Sequence, residues 1–249
     1  SPDSVISTFS DIRNALARKD AEVVAQYPFS KLQSNLKGMH RGEMIIVKGK
    51  QGIGKTEICR AIVHKALKET ETKMATIFLE EDQGTTIRGV CTYETLQPVM
   101  DQDSGFGDDD IMAMYEQAVG GRDDRLFIHS HFSSDDENEI VDNIRFLVTV
   151  AGCSLIVLDN LTVLAGGYGE GERSKIDTIV SRLRNLTNEL KFCLVILGHT
   201  NDDNTTRGSR FPDIVANTVI ILEREKGTPE LKFFVDKART QGAREGPSG

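Results

Sequence analysis

The residues Gly49-Lys50-Gln51-Gly52-Ile53-Gly54-Lys55-Thr56 satisfy the pattern G-x-x-x-x-G-K-[ST] at every required position. These residue types at this spacing bind phosphate: glycines let backbone N–H groups close on an anion, and a helix start supplies more of them. From Gly49 through Gln51, Gly52, Ile53 and Gly54 the loop wraps the phosphates, and Lys55, Thr56 and Glu57 open the helix. Lys55 reaches the outer phosphates and the Thr56 hydroxyl coordinates Mg²⁺. Asp159 closes the apolar run Leu155-Ile156-Val157-Leu158, the place of a carboxylate that holds Mg²⁺ directly or through water. Glu80, Glu81 and Asp82 follow another apolar run; a carboxylate there could polarise an attacking water, and position alone does not choose among them. His199 ends a further run, where it either contacts the γ-phosphate or is structural. Lys237 and Arg239 follow an apolar strand, and alternation puts both cations on one side of it. They either reach a neighbouring subunit's nucleotide or simply face solvent.

These groups need elements that aim them at one point. Met44-Ile45-Ile46-Val47 reads as a buried strand before the loop, and Ile58, Ile62, Val63 and Leu67 recur at helical spacing after it. Met74-Ala75-Thr76-Ile77-Phe78-Leu79, Leu126-Phe127-Ile128, Leu155-Ile156-Val157-Leu158 and Cys193-Leu194-Val195-Ile196-Leu197 read as further buried strands. Helices are predicted near 111–118, over Ile140, Ile144, Leu147 and Val148, and over Ile176, Ile179, Val180, Leu183 and Leu186. Residues 218–222 and 231–235 suggest a closing hairpin around Gly227-Thr228-Pro229. Continuous apolar strands alternating with helices imply a mainly parallel α/β sheet covered on both faces, with ligands beyond the carboxyl ends of its strands. The acidic stretch 101–110 reads as a solvated loop and 165–171 as a mobile one. Residues 3–19 form an amphipathic helix with the stripe Val5, Ile6, Phe9, Ile12 and Leu16, which docks either on its own domain or on a neighbouring subunit. The division is thus a helix within 1–25 and a nucleotide-binding domain over 26–249.

The chain has 249 residues, enough for one large domain with an appendage, and no apolar run approaches a membrane span. No secretory signal opens it, and Ser1 in place of Met suggests a fragment or processed piece. Its four cysteines, Cys59, Cys91, Cys153 and Cys193, form no CxxC pair, as expected of buried free thiols in a reducing compartment. A net charge of −8 argues against a broadly basic, nucleic-acid-coating surface while leaving room for a local basic path, such as the inside of a ring.

In order and spacing, residues 29–42 ("FSKLQSNLKGMHRG"), the phosphate loop, "FLEED", "LIVLDN", "GEGERSKID", "VILGH", "RGS", "ILER" and "KAR" resemble the hexameric replicative DNA helicases, with their RecA-like core. Phage primase–helicases and Twinkle-type helicases are nearer than the bacterial DnaB group. The resemblance implies that Glu80, 25 residues after Lys55, is the catalytic base, and that His199 senses the phosphate. It also implies that Arg239 is an arginine finger with Lys237 as companion across a subunit boundary, and that Arg224 packs on the nucleotide base. It makes the 3–19 helix a linker gripping the adjacent subunit, and points to a primase domain outside this chain. Single-stranded DNA would be held by Arg207, Gly208 and Arg210, with Asn201 and Asn204 of the preceding loop.

Two departures bear on that last expectation. The stretch 200–206 is short, carries Asp202 and Asp203 and has no lysine, whereas the family's loop is usually longer and lysine-bearing. The family's coupling glutamine falls at Ile214. The resulting expectation is a cytoplasmic or, in a Twinkle-like setting, mitochondrial-matrix helicase domain using Mg²⁺ with ATP or dTTP, in a hexameric or heptameric ring on single-stranded DNA, with no membrane partner. The alternatives are a RecA- or KaiC-like ATPase that assembles without unwinding, and a nucleotide-dependent loading module.

Overall fold

The computed structural model describes Phe9 and residues 22–101, 103–129, 137–164, 171–200, 209–224, 228, 230–239 and 246–247. The expected linker helix, most of the loop 165–171, and Asn201, Asn204, Arg207 and Gly208 lie outside them. Strands β1 (Val23–Ala25) and β2 (Met39–His40) pair antiparallel around helix α1 (Ser30–Leu36). Val24 and Ala25 of β1 are buried.

The elements that follow are β3 (Met44–Gly49), α2 (Lys55–Glu69), β4 (Met74–Phe78), α3 (Gln83–Thr95), α4 (Asp108–Ala118) and β5 (Leu126–His129). Next come α5 (Glu137–Thr149), β6 (Leu155–Asp159), α6 (Leu161–Leu164), α7 (Glu172–Leu190) and β7 (Cys193–His199). The chain ends in α8 (Phe211–Val215), β8 (Thr218–Arg224), β9 (Leu231–Ala238) and β10 (Gly246–Pro247). One eight-stranded sheet has the order β10-β9-β8-β3-β7-β6-β4-β5. From β8 to β5 every neighbour is parallel, and β9 and β10 continue it antiparallel. The mainly parallel sheet and the β8–β9 hairpin are as read from the sequence.

Both faces of the sheet are covered because its central strands alternate between two cores. Ile45 and Val47 join Ile58, Ile62, Val63 and Ala66 of α2 on one side. Met44 and Ile46 join Ile144 of α5 and Ile176, Ile179, Val180 and Leu183 of α7 on the other. All four cysteines are buried as free thiols, and burial pushes the Cys153 thiol up to about 12. The polar helix α3 escaped the periodicity reading, since it buries only Thr86, Gly89, Val90 and Cys91.

The connection from β3 through α2 to β4 skips over the positions later filled by β7 and β6. Chain paths therefore diverge beside β3, and a crevice opens at the carboxyl ends of β3, β7, β6 and β4.

Candidate nucleotide site

Register delivers the strand-end groups to that crevice. Gly49 pairs with His199 across β3 and β7, and Phe78 pairs with Asp159 across β4 and β6. A pocket of about 280 Å³ is lined by Gln51, Gly52, Gly54, Lys55, Thr56, Glu57, Glu80, Asp159, Asn160 and His199. The strand-end candidates and the loop candidates thus meet in one place. Asn160 was not anticipated; it follows the acid directly, and its side-chain oxygen accepts from Val163 N–H at 3.0 Å, starting α6.

Local rules shape the loop. Gly52 and Gly54 hold φ of +73° and +99°, a region that L side chains rarely adopt, and nothing lies within 4 Å of where a Cβ would sit on either. Gly54 is the N-cap of α2 and gives no side-chain cap, so the helix's first N–H groups remain available to an anion. Gly49 is needed for another reason: a Cβ there would meet the Leu222 carbonyl at 3.0 Å.

Lys55 is buried, and its ammonium donates to the carbonyls of Gly49 (3.1 Å) and Lys50 (2.9 Å) while lying 3.2 Å from His199 Nδ1. Burial pulls its pKa down, partly opposed by Asp159 and Glu80. The Thr56 hydroxyl donates to Asp159 Oδ2 at 2.5 Å. Burial raises the Asp159 carboxyl above its usual range, against the Thr56 hydrogen bond, which lowers it. A hydroxyl and a carboxylate held together in a buried pocket are hard oxygen donors of the kind Mg²⁺ takes. Thr56 and Asp159 fit that ion.

The choice among Glu80, Glu81 and Asp82 follows from their surroundings. Asp82 is the N-cap of α3 and accepts the Thr85 N–H at 2.7 Å. Glu81 is paired with the buried guanidinium of Arg60 and accepts the Thr86 hydroxyl at 2.7 Å. Glu80 is exposed and lines the pocket. Two carboxylates pin the turn after β4, and the third is left facing the site.

Arg60 holds this arrangement from α2, bridging Glu81 to Glu57, and Tyr93 donates to the Glu57 carbonyl at 2.9 Å. The sequence hid Arg60, because its helix position reads as the solvated face beside Glu57 and Lys68. It can be buried because residue 89 is glycine: a Cβ there would come within 2.4 Å of Arg60 Nε. Gly89→Ala is therefore expected to displace Arg60 from Glu81 and to cost about 1–3 kcal/mol, as overpacked cores do. Thermal melts read this directly. An unchanged Tm would show that Arg60 moves aside freely.

A second pocket of about 450 Å³ continues from the loop along Lys50, Gln51, Gly52, Ile53, Leu222, Glu223 and Arg224. Arg224 Nη2 donates to the Ile53 carbonyl at 3.3 Å, so its guanidinium stands where a nucleoside joined to phosphates in the first pocket would lie. Lys237 and Arg239 are not in either pocket. The Lys237 ammonium donates to the carbonyls of Asp213 (2.8 Å) and Ile214 (2.7 Å) of its own chain. Burial, then the neighbouring Arg239, pull its pKa down. Arg239 is exposed past the end of β9. Arg210 is exposed at the N-cap of α8, and Ile214 on that helix is 61% exposed. Among the described residues, no helix is long and apolar enough to cross a membrane.

Comparison with known proteins agrees with this geometry. Residues 25–217 match the family described as the DnaB-like helicase C terminal domain. The chain is 21% identical over 252 aligned positions to a DNA helicase/primase of Enterobacteria phage T3, covering 90% of this chain but only 43% of that protein. Among solved structures it resembles a KaiC-like protein from the hyperthermophilic archaeon Pyrococcus horikoshii OT3. That match has a TM-score of 0.68 and 18% identity, over 91% of this chain and 94% of the other, and it shows the α/β fold alone.

Proposed function

The chain belongs to the DnaB-like helicase C-terminal domain family, and on that footing we propose that it is the motor domain of a replicative DNA helicase. It hydrolyses a nucleoside triphosphate and moves along single-stranded DNA as a ring of like subunits. The observation that carries this reading is the convergence of Lys55, Thr56, Glu80, Asp159 and His199 on one pocket. Phosphoryl transfer needs positioning and charge stabilisation more than covalent chemistry, and those groups supply both.

Loop N–H groups and the α2 N-terminus hold the phosphates of ATP or dTTP, with the base in the pocket beside Arg224. Thr56 and Asp159 would hold Mg²⁺, which would supply charge neutralisation at the outer phosphates. Lys55 exchanges its loop carbonyls for phosphate oxygens. Glu80 accepts the proton of the attacking water as the new P–O bond forms and the bond to the leaving oxygen breaks. His199, one hydrogen-bond distance from Lys55, is placed to register the loss of the γ-phosphate.

Arg207, Gly208, Asn201 and Asn204, with the exposed Arg210, are the proposed contacts to DNA phosphates. Such contacts read no bases, so binding tolerates any sequence and weakens with salt. The reading is tested by measuring hydrolysis with and without single-stranded oligonucleotides over a salt series. Stimulation that fades with rising salt is expected. Hydrolysis indifferent to DNA, or DNA affinity indifferent to salt, would overturn it. The T3 relative is a helicase/primase of which this chain spans less than half, and we propose that the motor works beside a primase domain in the same way.

A further inference from the structure

β3 carries a lysine where an apolar residue would be expected. Lys48 sits directly before Gly49 in a fully buried strand, and its side chain is 2% exposed. Its ammonium donates to Asp213 Oδ2 at 2.8 Å, across to α8. The Asp213 carboxylate is partly exposed, but taking the Lys48 ammonium out of water costs several kcal/mol, and a well-packed apolar residue in such a place is often as stable or more so. A buried lysine held by one carboxylate is therefore a weak source of stability.

Its connections suggest another role. The Lys48 backbone pairs in register with Gly198, the residue before His199, and with Ile221. Asp213 lies one helical turn beyond Arg210, and the Ile214 N–H donates to the Arg210 carbonyl at 3.3 Å. The same short helix receives the Lys237 ammonium on the carbonyls of Asp213 and Ile214, its C-terminal end, where a cation is favoured. α8 is thus held by ammonium groups from both β3 and β9 and carries the exposed Arg210 at its N-cap.

We propose that Lys48 and Asp213 are positioning residues that transmit the state of the nucleotide loop to Arg210, so that hydrolysis and DNA contact are coupled through this ion pair. The proposal rests on the helicase reading above. A displacement of the phosphate loop moves the end of β3, and the ion pair carries that movement to α8 without either residue touching nucleotide or reacting atoms. Coupling between sites of this kind typically amounts to a factor of about 5–150.

The test removes both charges together, in Lys48→Met/Asp213→Leu, so that no uncompensated buried ion remains. Full-length variant and wild type are compared by thermal melt, by ATP hydrolysis with and without a labelled oligo-dT, and by oligo-dT affinity with ADP or a non-hydrolysable ATP analogue. The variant is expected to melt no lower than wild type and to keep its DNA-independent rate and KM. Its stimulation by oligo-dT should fall by about fivefold or more, and its DNA affinity should no longer depend on which nucleotide is bound. Stimulation retained at the wild-type level would overturn the proposal. So would loss of basal and stimulated rates in parallel with a lower Tm, which would mark the pair as structural. Where wild type itself shows no stimulation, the helicase reading falls and this inference with it. A stimulated wild type beside an equally stimulated variant removes the inference alone.

Discussion

Glu80→Gln is expected to lower nucleotide hydrolysis by about 10²–10⁴, the range of a general base, while nucleotide binding stays intact. The substitution keeps the side chain's size and a hydrogen-bonding oxygen, and removes only the ability to take a proton. Binding should survive because the groups proposed to hold phosphate, Lys55 and the loop N–H groups, are untouched. Glu81→Gln gives a different result. Glu81 faces Arg60 and Thr86 rather than the pocket, so its neutralisation leaves a buried guanidinium short of a partner. Single-turnover hydrolysis beside binding of a fluorescent nucleotide analogue separates the two. Loss of binding with hydrolysis in Glu80→Gln, or a rate within about tenfold of wild type, would remove Glu80 from the role of base.

This assignment also shows how far the sequence could be read. Gly49 to Thr56, Asp159 and His199 were legible because each depends on a local rule: an apolar strand delivers the polar residue at its carboxyl end to the crevice. The choice among Glu80, Glu81 and Asp82 was not legible from position, and it needed the family resemblance. The physical reason lies on other elements, in Arg60 of α2 and in the missing side chain of Gly89 on α3. Lys48 stayed hidden for a similar reason. Its partner is 165 residues away in sequence, and nothing in Met44-Ile45-Ile46-Val47 announces a buried charge beside it. Helix α3 was missed because Thr86 and Gly89 make up half of the residues it buries. The hairpin of β8 and β9 was readable, but what it does to Arg239 depends on strand direction in a sheet whose order periodicity cannot supply.

That direction decides the second large effect. β9 runs antiparallel to β8, which is parallel to β3, so β9 carries its C-terminal residues back toward the start of β3. The Arg239 N–H donates to the Asn217 carbonyl, and the Asn217 N–H donates to the carbonyl of Met44. Arg239 is therefore level with Met44, with the β8 strand between them, and the phosphate loop leaves from Gly49 at the other end of the 6-residue strand, roughly 16 Å farther along the sheet at about 3.3 Å per residue. That is farther than an arginine side chain reaches. Arg239 cannot complete its own subunit's site, and its exposure leaves it open to a neighbour's. Arg239→Ala is accordingly expected to reduce turnover by about 10³–10⁵, as loss of an arginine finger does. The decisive experiment mixes two inactive proteins, Arg239→Ala and Glu80→Gln, under dissociating conditions, then reassembles them with nucleotide and DNA. A subunit with Glu80 beside a neighbour with Arg239 makes a whole site, so activity should return in the mixture although neither component has it. If both residues served the same subunit's nucleotide, every site would still lack one of them. A mixture as inactive as its parts would therefore place Arg239 outside the neighbour's site.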